Sequence, residues 1–529
     1  MNNKKAKMAK KKRFPIKPVD IGNFRLFPLL KTIGFLFHVP AIMALFSLII
    51  CLIYAEYYAC FCLVIFAFLL CLVGQFLYRV FAQYNIRSLW EAMLSAALGW
   101  AICSFVGAFP YFFIASKLSS LGLSNESIDV FRSLLNCNFE SFSGFTSTGL
   151  TMVARPSLLP HILQFWRSSQ SWIGGMGLLA FVIALVESKR EEYRFYLAEA
   201  KSDMVGNNLR TMLLKIWFIY FIFTVVIAFL FYLAKMPIWD AINHSMTAIA
   251  TGGFSISDNS LEGYSVSAQA VALLGMTLGC MSFSLHYQIF REGRILKFWQ
   301  NIQNRLLFIF LIIGSLVIIL LTFISMDPES VFTCIFSFFT SLSTCGFRTT
   351  NMDFFTSAVK LFLILAMISG ASSGSTSGGI KIRRIKNVFS AFLLRCRRIT
   401  SKHEKEIIEG LGKKGEEKEI VDIDLPKSEQ TSRLYAASVL FISWLFCLAL
   451  SWFVILVISP HFKPLNVLFD VTSALGNVGL STGVVQPTLP IISKIIFIFL
   501  MWLGRLEIIP VIILISTFFA FFKKNKKKK

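Results

Sequence analysis

Four short stretches rich in Ser, Thr and Gly lie between long apolar runs of this 529-residue chain. They read SFSGFTSTGLT, MTAIATGGFSIS, TSLSTCGFRTTN and TSALGNVGLSTG, and they begin at Ser141, Met246, Thr340 and Thr472. Irregular backbone at membrane depth is stable only where it is buried in protein or lines a water-filled cavity. Four such strands around one axis would present rings of backbone carbonyl oxygens, which can replace the hydration shell of a cation. The chemistry that these stretches predict is cation coordination by the main chain.

Alignment of the four strands on one glycine gives the candidate coordinating residues. Glycine suits this position because it accepts backbone angles that let consecutive carbonyls point the same way. The first two intervals between the aligned glycines are similar in length. The last interval is longer because it also contains a charged segment, residues 397–433. The candidate ion-binding residues are Ser147, Thr148, Gly149, Ala250, Thr251, Gly252, Thr344, Cys345, Gly346, Asn477, Val478 and Gly479.

A short, mostly apolar segment precedes each polar strand, and a long apolar run follows it. The short segments, residues 130–139, 238–242, 331–339 and 465–469, cannot cross a membrane and are interpreted as half-helices. Their negative C-terminal ends would favour a cation at the strands. Small and hydroxylated residues also mediate close helix packing in membranes. Four copies in register, each after a half-helix, favour the pore interpretation.

Composition places the chain among integral membrane proteins, since 56% of its residues are hydrophobic, 15% are charged and 55 are Phe. The apolar runs are too long for β-barrel strands and predict ten helical spans. They lie at 33–54, 58–78, 92–114, 172–186, 216–233, 268–289, 306–324, 434–458 and 491–522, with an interrupted run at 358–368 and 388–394. The predicted fold is an all-α membrane protein with two leading helices and four membrane–pore–membrane repeats, arranged pseudo-fourfold around one ion pore.

The same pattern predicts the domain organisation of the chain. A basic N-terminus and a lysine tail flank the leading helices, the four repeats and the charged linker. The predicted boundaries are 1–32 for the N-terminus, 33–80 for the leading helices, 90–187, 211–290, 303–396 and 434–522 for the repeats, 397–433 for the linker and 523–529 for the tail. The second helix of the third repeat is expected to be broken.

The basic residues that give the net charge of +23 occur in clusters, and their positions predict the membrane topology. Basic clusters at 4–13, 79–87, 189–201, 291–305, 383–418 and 523–529 fall on one face if ten spans separate the termini. The excess of Lys and Arg predicts that this face, with both termini, is cytoplasmic. The protein is expected in the inner (plasma) membrane. We expect these clusters to contact anionic lipid headgroups and not nucleic acid. No cleavable signal peptide is evident, and the 11 Cys indicate neither a disulfide framework nor a zinc site.

Three further motifs, WIGGMGLLA (172–180), GASSGSTSGGIKI (370–382) and WLGRLEI (502–508), complete a resemblance to the Trk/Ktr/HKT superfamily of cation transporters over about residues 92–522. The two leading helices resemble the TrkH type, whereas NVGLSTG resembles Ktr. The resemblance implies potassium uptake, because sodium-transporting plant relatives have Ser where this chain has Gly149. Cys345 departs from the Thr common in TrkH-like proteins, which we expect to tune the site without changing the ion class. The resemblance also implies a homodimer and a cytoplasmic TrkA/KtrA-like ring, through which ATP, ADP or NAD(H) would act. No covalent cofactor is expected.

Within the eighth span, residues 369–379 are too rich in Gly and Ser for a stable lipid-facing helix. They lack the order of a phosphate-binding loop. Arg505 lies deep in the last span, where an ionisable group marks an ion path, and Glu507 is poorly placed on a helix to pair with it. By resemblance the segment is an intramembrane gate beneath the strands, with Arg505 as an electrostatic barrier. The candidate gate residues are Gly370, Ser372, Ser373, Gly374, Ser375, Thr376, Gly378, Gly379 and Arg505.

Other ionisable residues are expected to support the pore. Glu140 and Asp470 lie nine residues before their aligned glycines and are predicted to be hydrogen-bonded supports in preference to cation attractors. No two of the six His have ligand spacing, although His244 could tune the pore mouth. The linker 397–433 is expected to be solvated and partly disordered. Two alternatives remain open: a sodium-permeable transporter of the same fold, and a membrane transferase, which would need His, Asp or Glu in the strands.

Overall fold

The structure is a computed structural model that describes residues 20–21, 24–86, 88–177, 209–293, 296–324, 329–390, 392–393, 396 and 427–526. Apart from a two-residue strand pair, Asp20–Ile21 with Phe24–Arg25, the described secondary structure is helical. Most of the linker, 397–426, and residues 178–186 of the predicted fourth span lie outside the described residues. The all-helical fold class predicted from the sequence is confirmed.

Two leading helical segments come first, Leu26–Leu36 continuing as His38–Ile53, and then Tyr57–Val80. They cross closely, because a Cβ on Gly34 would lie 2.8 Å from the carbonyl oxygen of Gly74. The loop between them is anchored on the first repeat. There the carboxylate of Glu56 accepts hydrogen bonds from the backbone N–H groups of His161 (2.8 Å) and Ile162 (2.9 Å), at the start of a helix.

Each repeat contains a first helix, a pore helix and a second helix. Pore helices 1 to 4 are Leu134–Phe145, Ile238–Ile249, Val331–Ser343 and Pro464–Leu475. The first helices are Leu89–Val106 with Phe109–Ser120, Leu209–Leu233, Ile302–Ile324 and Lys427–Ile458. The second helices begin with His161–Met176, Val266–Cys280, Ser357–Ser369 and Ile491–Arg505. The fourth repeat therefore begins its first helix inside the segment predicted as linker, where no Gly or Pro follows Pro426 until residue 460.

Two second helices that the sequence predicted as single spans are broken. Val266–Cys280 bends by 89° into Phe283–Glu292, and Ile491–Arg505 bends by 117° into Ile509–Lys526. The prediction of a break in the third repeat alone was too narrow. In the second repeat, the terminal carbonyls of Gly279 and Cys280 accept hydrogen bonds from a loop of the third repeat instead of from a further helical turn.

Six helices of the described chain are long and apolar enough to cross a membrane, or eight if each bent pair is one span. The two other predicted spans correspond to the second helices of repeats 1 and 3. The first of these runs into residues outside the described ranges, and the third repeat's helix is interrupted after Ser369. Ten spans therefore stay a prediction.

The four repeats form a closed ring, in which the second helix of one repeat packs against the pore helix of the next. Polar side chains connect neighbouring repeats near the start of these helices at three of the four junctions. The bonds are Trp239 Nε1 to Gln164 Oε1 (2.7 Å), Lys360 Nζ to Asn466 Oδ1 (3.2 Å) and Lys494 Nζ to Asn136 Oδ1 (2.8 Å). This ring places the four polar strands around one axis.

Candidate ion-conduction site

Each polar strand leaves its pore helix through a residue in the left-handed region. These residues are Ser147 (φ 51°), Thr251 (47°), Thr344 (56°) and Asn477 (52°), and each donates its backbone N–H to the carbonyl three residues earlier. Two residues later, a glycine again has positive φ. These glycines are Gly149 (86°), Gly253 (57°), Gly346 (94°) and Gly479 (98°). The repeated backbone geometry defines polar strands 1 to 4 as residues 147–149, 251–253, 344–346 and 477–479.

This geometry corrects the sequence alignment of the second strand by one residue. Gly253, and not Gly252, takes the position of Gly149. Ala250 is the C-cap of pore helix 2 and lies before the strand. From the sequence alone, the consecutive glycines of ATGG allow either register. The structure selects Gly253, because Thr251 is the left-handed residue at which the strand leaves pore helix 2.

The four strands close into a ring of main-chain contacts. A Cβ on each strand glycine would lie 2.1–2.3 Å from the carbonyl oxygen of the middle residue in the next strand, where no side chain fits. The pairs are Gly149 with Gly252 O, Gly253 with Cys345 O, Gly346 with Val478 O, and Gly479 with Thr148 O. The middle residues thus supply four carbonyls at one level of the ring. Only main chain can pass so close to main chain at these positions, which explains glycine in all four strands.

Three pore helices hold their strands with a side chain placed nine residues before the strand glycine. This residue is hydrogen-bonded to a hydroxyl two residues after the glycine. The bonds are Thr151 Oγ1 to Glu140 Oε1 (2.8 Å), His244 Nε2 with Ser255 Oγ (2.9 Å), and Ser481 Oγ to Asp470 Oδ2 (2.6 Å). Glu140, His244 and Asp470 are completely buried. These contacts match the supporting role expected of the two carboxylates. They also give His244 this supporting role. The sequence alignment missed it because strand 2 was aligned one residue out of register.

A buried ion pair reinforces the contact between strands 1 and 2. Arg167 Nε lies 2.7 Å from Glu140 Oε1, and its Nη1 donates to the carbonyl of Ser255 at 2.9 Å. Its guanidinium also lies 4.4 Å from the centroid of the Phe254 ring. Because a buried guanidinium needs partners for its charge and its donors, Arg167 fixes the segments that follow both strands. Arg167 was missed in the sequence because it precedes the apolar run predicted at 172–186 and is followed by polar residues.

The Gly/Ser loop, residues 369–379, packs against the strands at the end where they leave the pore helices. Thr376 Oγ1 is 3.0 Å from Thr251 Oγ1, and the N–H of Gly378 donates to Thr344 Oγ1 at 2.6 Å. The N–H of Gly379 donates to the carbonyl of Gly476 at 3.0 Å, at the end of pore helix 4. The loop therefore touches the first residue of two polar strands. Of the predicted gate residues, Ser373, Gly374 and Ser375 are partly exposed, whereas Gly370, Ser372, Thr376, Gly378 and Gly379 are buried.

Arg505 ends the second helix of repeat 4 and bonds to the same loop. Its Nη1 donates to the carbonyl of Thr376 at 2.9 Å, and its Nη2 donates to the carbonyl of Gly175 at 2.7 Å. Glu507 pairs instead with Arg384, which follows the loop. A cavity of about 40 Å³ separates Arg505 from Asn477 in strand 4, with the loop forming much of its wall. The structure thus brings the predicted gate residues together beneath the strands.

A second cation, Lys381, also lines this cavity and was missed in the sequence. It is buried, has a φ of 77°, and places Nζ 3.3 Å from Ser377 Oγ. Its position directly after the Gly/Ser loop was visible in the sequence, but only the folded loop places it on the same cavity as Arg505.

Comparisons with known proteins agree with this architecture. The family model TrkH, described as a cation transport protein, matches residues 100–520. An uncharacterized cation transporter of Methanocaldococcus jannaschii is 32% identical over 84% of this chain and 86% of its own length. The Trk system potassium uptake protein TrkH of Halomonas elongata is 28% identical over 82% of this chain and 86% of its own length.

A solved structure has the same fold. The crystal structure of the potassium transporter TrkH from Vibrio parahaemolyticus matches with a TM-score of 0.76 and 21% sequence identity, covering 93% of this chain and 98% of that one. Its fold supports four repeats around one axis. Relatives that are transporters set aside the interpretation as a membrane transferase. Because the family model matches most of the sequence, the chain belongs to the TrkH family of cation transport proteins.

Proposed function

We propose that the protein mediates selective potassium uptake through the ring formed by the four polar strands. The observation that carries this proposal is the closed ring of glycine-to-carbonyl contacts, which supplies four oxygens at one level. Such oxygens replace the water shell of a dehydrated cation. Relatives whose names state potassium uptake, including TrkH of Halomonas elongata and of Escherichia coli, support potassium as the ion.

The proposed ion-binding residues follow the corrected register. They are Ser147, Thr148, Gly149, Thr251, Gly252, Gly253, Thr344, Cys345, Gly346, Asn477, Val478 and Gly479. The four pore helices end just before these residues, so their partial negative charges stabilise a cation in the ring. The membrane potential contributes about 2.3 kcal/mol per unit charge per 100 mV to inward movement.

The Gly/Ser loop is the proposed gate. It hydrogen-bonds to Thr251 and Thr344, and we interpret this arrangement as the closed state of the path. Arg505 holds the loop through the Thr376 carbonyl and places a positive charge below the ring. An entering cation would have to pass this charge, so opening requires both the loop and Arg505 to move away from the axis.

We further propose that the protein lies in the inner membrane with both termini cytoplasmic and acts as a homodimer. The basic clusters would contact anionic lipid headgroups on the cytoplasmic face. A TrkA/KtrA-like cytoplasmic ring would dock there and make transport sensitive to ATP, ADP or NAD(H). Supporting these points are the charge distribution and the family resemblance. Affinity capture from membranes, with flux measured with and without ATP or NADH, tests the ring; no captured partner and no nucleotide effect would refute it.

The central test is rubidium-86 uptake into proteoliposomes with an inside-negative potential. Potassium, sodium and caesium serve as competitors, for wild type and Gly149→Ser. Potassium should compete and sodium should not, and the variant should lose this preference because its side chain would meet the Gly252 carbonyl at 2.3 Å. Sodium competition equal to that of potassium in wild type would favour the sodium-permeable alternative. No potential-driven uptake, even after deletion of the loop, would refute a conduction path altogether.

A matched pair of variants tests the register of strand 2. A Cβ on Gly253 would lie 2.1 Å from the backbone oxygen of Cys345, which cannot be removed by mutation. A Cβ on Gly252 would lie 1.9 Å from Ser171 Oγ, a side-chain atom that Ser171→Ala removes. We expect Gly253→Ala to abolish selective uptake and Gly252→Ala with Ser171→Ala to retain most of it. The reverse ranking would contradict the corrected register.

A further inference from the structure

The third repeat departs from the pattern that the other three share. Its residue nine positions before the strand glycine is Ser337, whose buried hydroxyl has no hydrogen-bond partner among the described residues. Its residue two positions after the glycine is Arg348, where the other repeats have Thr151, Ser255 and Ser481. A support pair of the kind seen in repeats 1, 2 and 4 is therefore replaced in repeat 3 by a cation at the mouth of the ring.

The main chain of Arg348 is fixed by the segment that follows polar strand 2. Its N–H donates to Ser260 Oγ at 3.2 Å, and its carbonyl accepts from the N–H of Leu261 at 3.0 Å. Its guanidinium Nη2 donates to the backbone carbonyl of Asp258 at 3.1 Å. The side chain is half-buried. At most about 7 Å of chain separates its Cα from that of Gly346, so its main chain lies near the ring, and its guanidinium is fixed at the Asp258 carbonyl.

Within the described part of the chain, no carboxylate pairs with Arg348, because the acids near it are largely engaged with other residues. No ion pair to Arg348 occurs within the described part of the chain. The Asp258 carboxylate faces Arg155 at 3.5 Å, and that of Asp353 faces Lys360 at 2.9 Å. Glu262, the remaining acid of the four segments that follow the strands, is exposed and makes no ion pair within the described part of the chain.

We propose that Arg348 is a rate- and affinity-setting residue, whose positive charge lowers the local concentration of cations at the outer mouth of the ring. A fixed like charge repels an approaching ion over roughly the Debye length, which is about 10 Å at 0.1 M salt and about 30 Å at 0.01 M. The charge therefore limits uptake chiefly when the external cation concentration and the ionic strength are both low. It leaves the preference among cations to the carbonyl ring. This inference rests on the proposed conduction path through that ring.

The test compares wild type, Arg348→Lys and Arg348→Gln in rubidium-86 uptake by proteoliposomes. Rubidium concentration is varied at about 0.01 M and about 0.3 M ionic strength, set with N-methyl-D-glucamine chloride. At low ionic strength, Arg348→Gln should lower the KM for rubidium about two- to fivefold with little change in maximal rate, because one repelling charge is lost. Arg348→Lys retains the charge and should resemble wild type. At high ionic strength the three curves should converge.

Two results would overturn the proposal. One is equal KM values for Arg348→Gln and Arg348→Lys at low ionic strength. The other is a loss of uptake in Arg348→Gln that persists unchanged at high salt, which would indicate a structural role for the bond to Asp258. Gly149→Ser, measured in parallel, separates this outcome from failure of the conduction path. If that variant alters ion preference while Arg348→Gln matches Arg348→Lys, only the inference about Arg348 fails.

Discussion

Replacing Thr376 with valine should favour opening of the Gly/Ser loop. The Thr376 hydroxyl lies 3.0 Å from Thr251 Oγ1, 2.9 Å from the Gly279 carbonyl and 3.1 Å from the Ile249 carbonyl. It has one hydrogen, so it can donate to one carbonyl while it accepts from Thr251. Valine has nearly the same shape and removes both bonds. In the open loop water would satisfy the hydroxyl, so the loss falls on the closed state.

The expected magnitude follows from the two bonds. Each contributes about 0.5–1.5 kcal/mol net, so Thr376→Val should destabilise the closed state by about 1–3 kcal/mol. Since 1.4 kcal/mol is a factor of about 10, the ratio of open to closed loops should rise roughly 5- to 150-fold. Single-channel recording in planar bilayers measures this ratio directly, and rubidium-86 uptake rises with it until the loop is mostly open.

Two controls separate the hydroxyl from general disturbance of the loop. Thr376→Ser keeps the hydroxyl and should resemble wild type. Ser375→Ala removes a hydroxyl whose partners among the described residues all lie within the loop: the Ser372 carbonyl, Ser377 Oγ and the Ser377 N–H. It should change the open ratio little. An open ratio in Thr376→Val equal to that of Thr376→Ser would refute the idea that these contacts hold the loop closed.

Two stability predictions concern buried and surface charges. Glu140→Gln should lower stability in detergent by about 3–5 kcal/mol, because it leaves Arg167 as an uncompensated buried cation. Asp470→Asn, which faces only hydroxyl and amide donors, should cost about 1–3 kcal/mol; equal losses in thermal unfolding would contradict this ranking. In the segment that follows strand 3, hydrogen bonding to Lys360 holds the pKa of Asp353 below its usual value. The stability from this contact is therefore present above about pH 4 and lost as pH falls through the lower folded pKa. Asp353→Asn should flatten this acid-side decline in melting temperature, and an unchanged pH profile would argue against the contact.

Much of the fold could be predicted because it depends on the composition and spacing of residues along the chain. The length of the apolar runs determines that the chain enters a membrane, and composition alone excludes a lipid-facing helix at residues 369–379. Repetition of the polar strands predicted their common axis. Strands 1, 3 and 4 were placed in the correct register because each contains one glycine after its left-handed residue.

Only the tertiary structure decided the remaining features. The second strand has two glycines, and its register depends on where Thr251 leaves the pore helix. The bend after Cys280 was invisible because the residues around it are apolar enough to continue a helix. It occurs because a loop nearly one hundred residues later supplies the hydrogen bonds that a further turn would have made. The pairing of Arg167 with Glu140 likewise joins residues 27 positions apart. Local sequence determined which segments could be helix, strand or break, and long-range hydrogen bonding selected among them because buried polar groups must find partners.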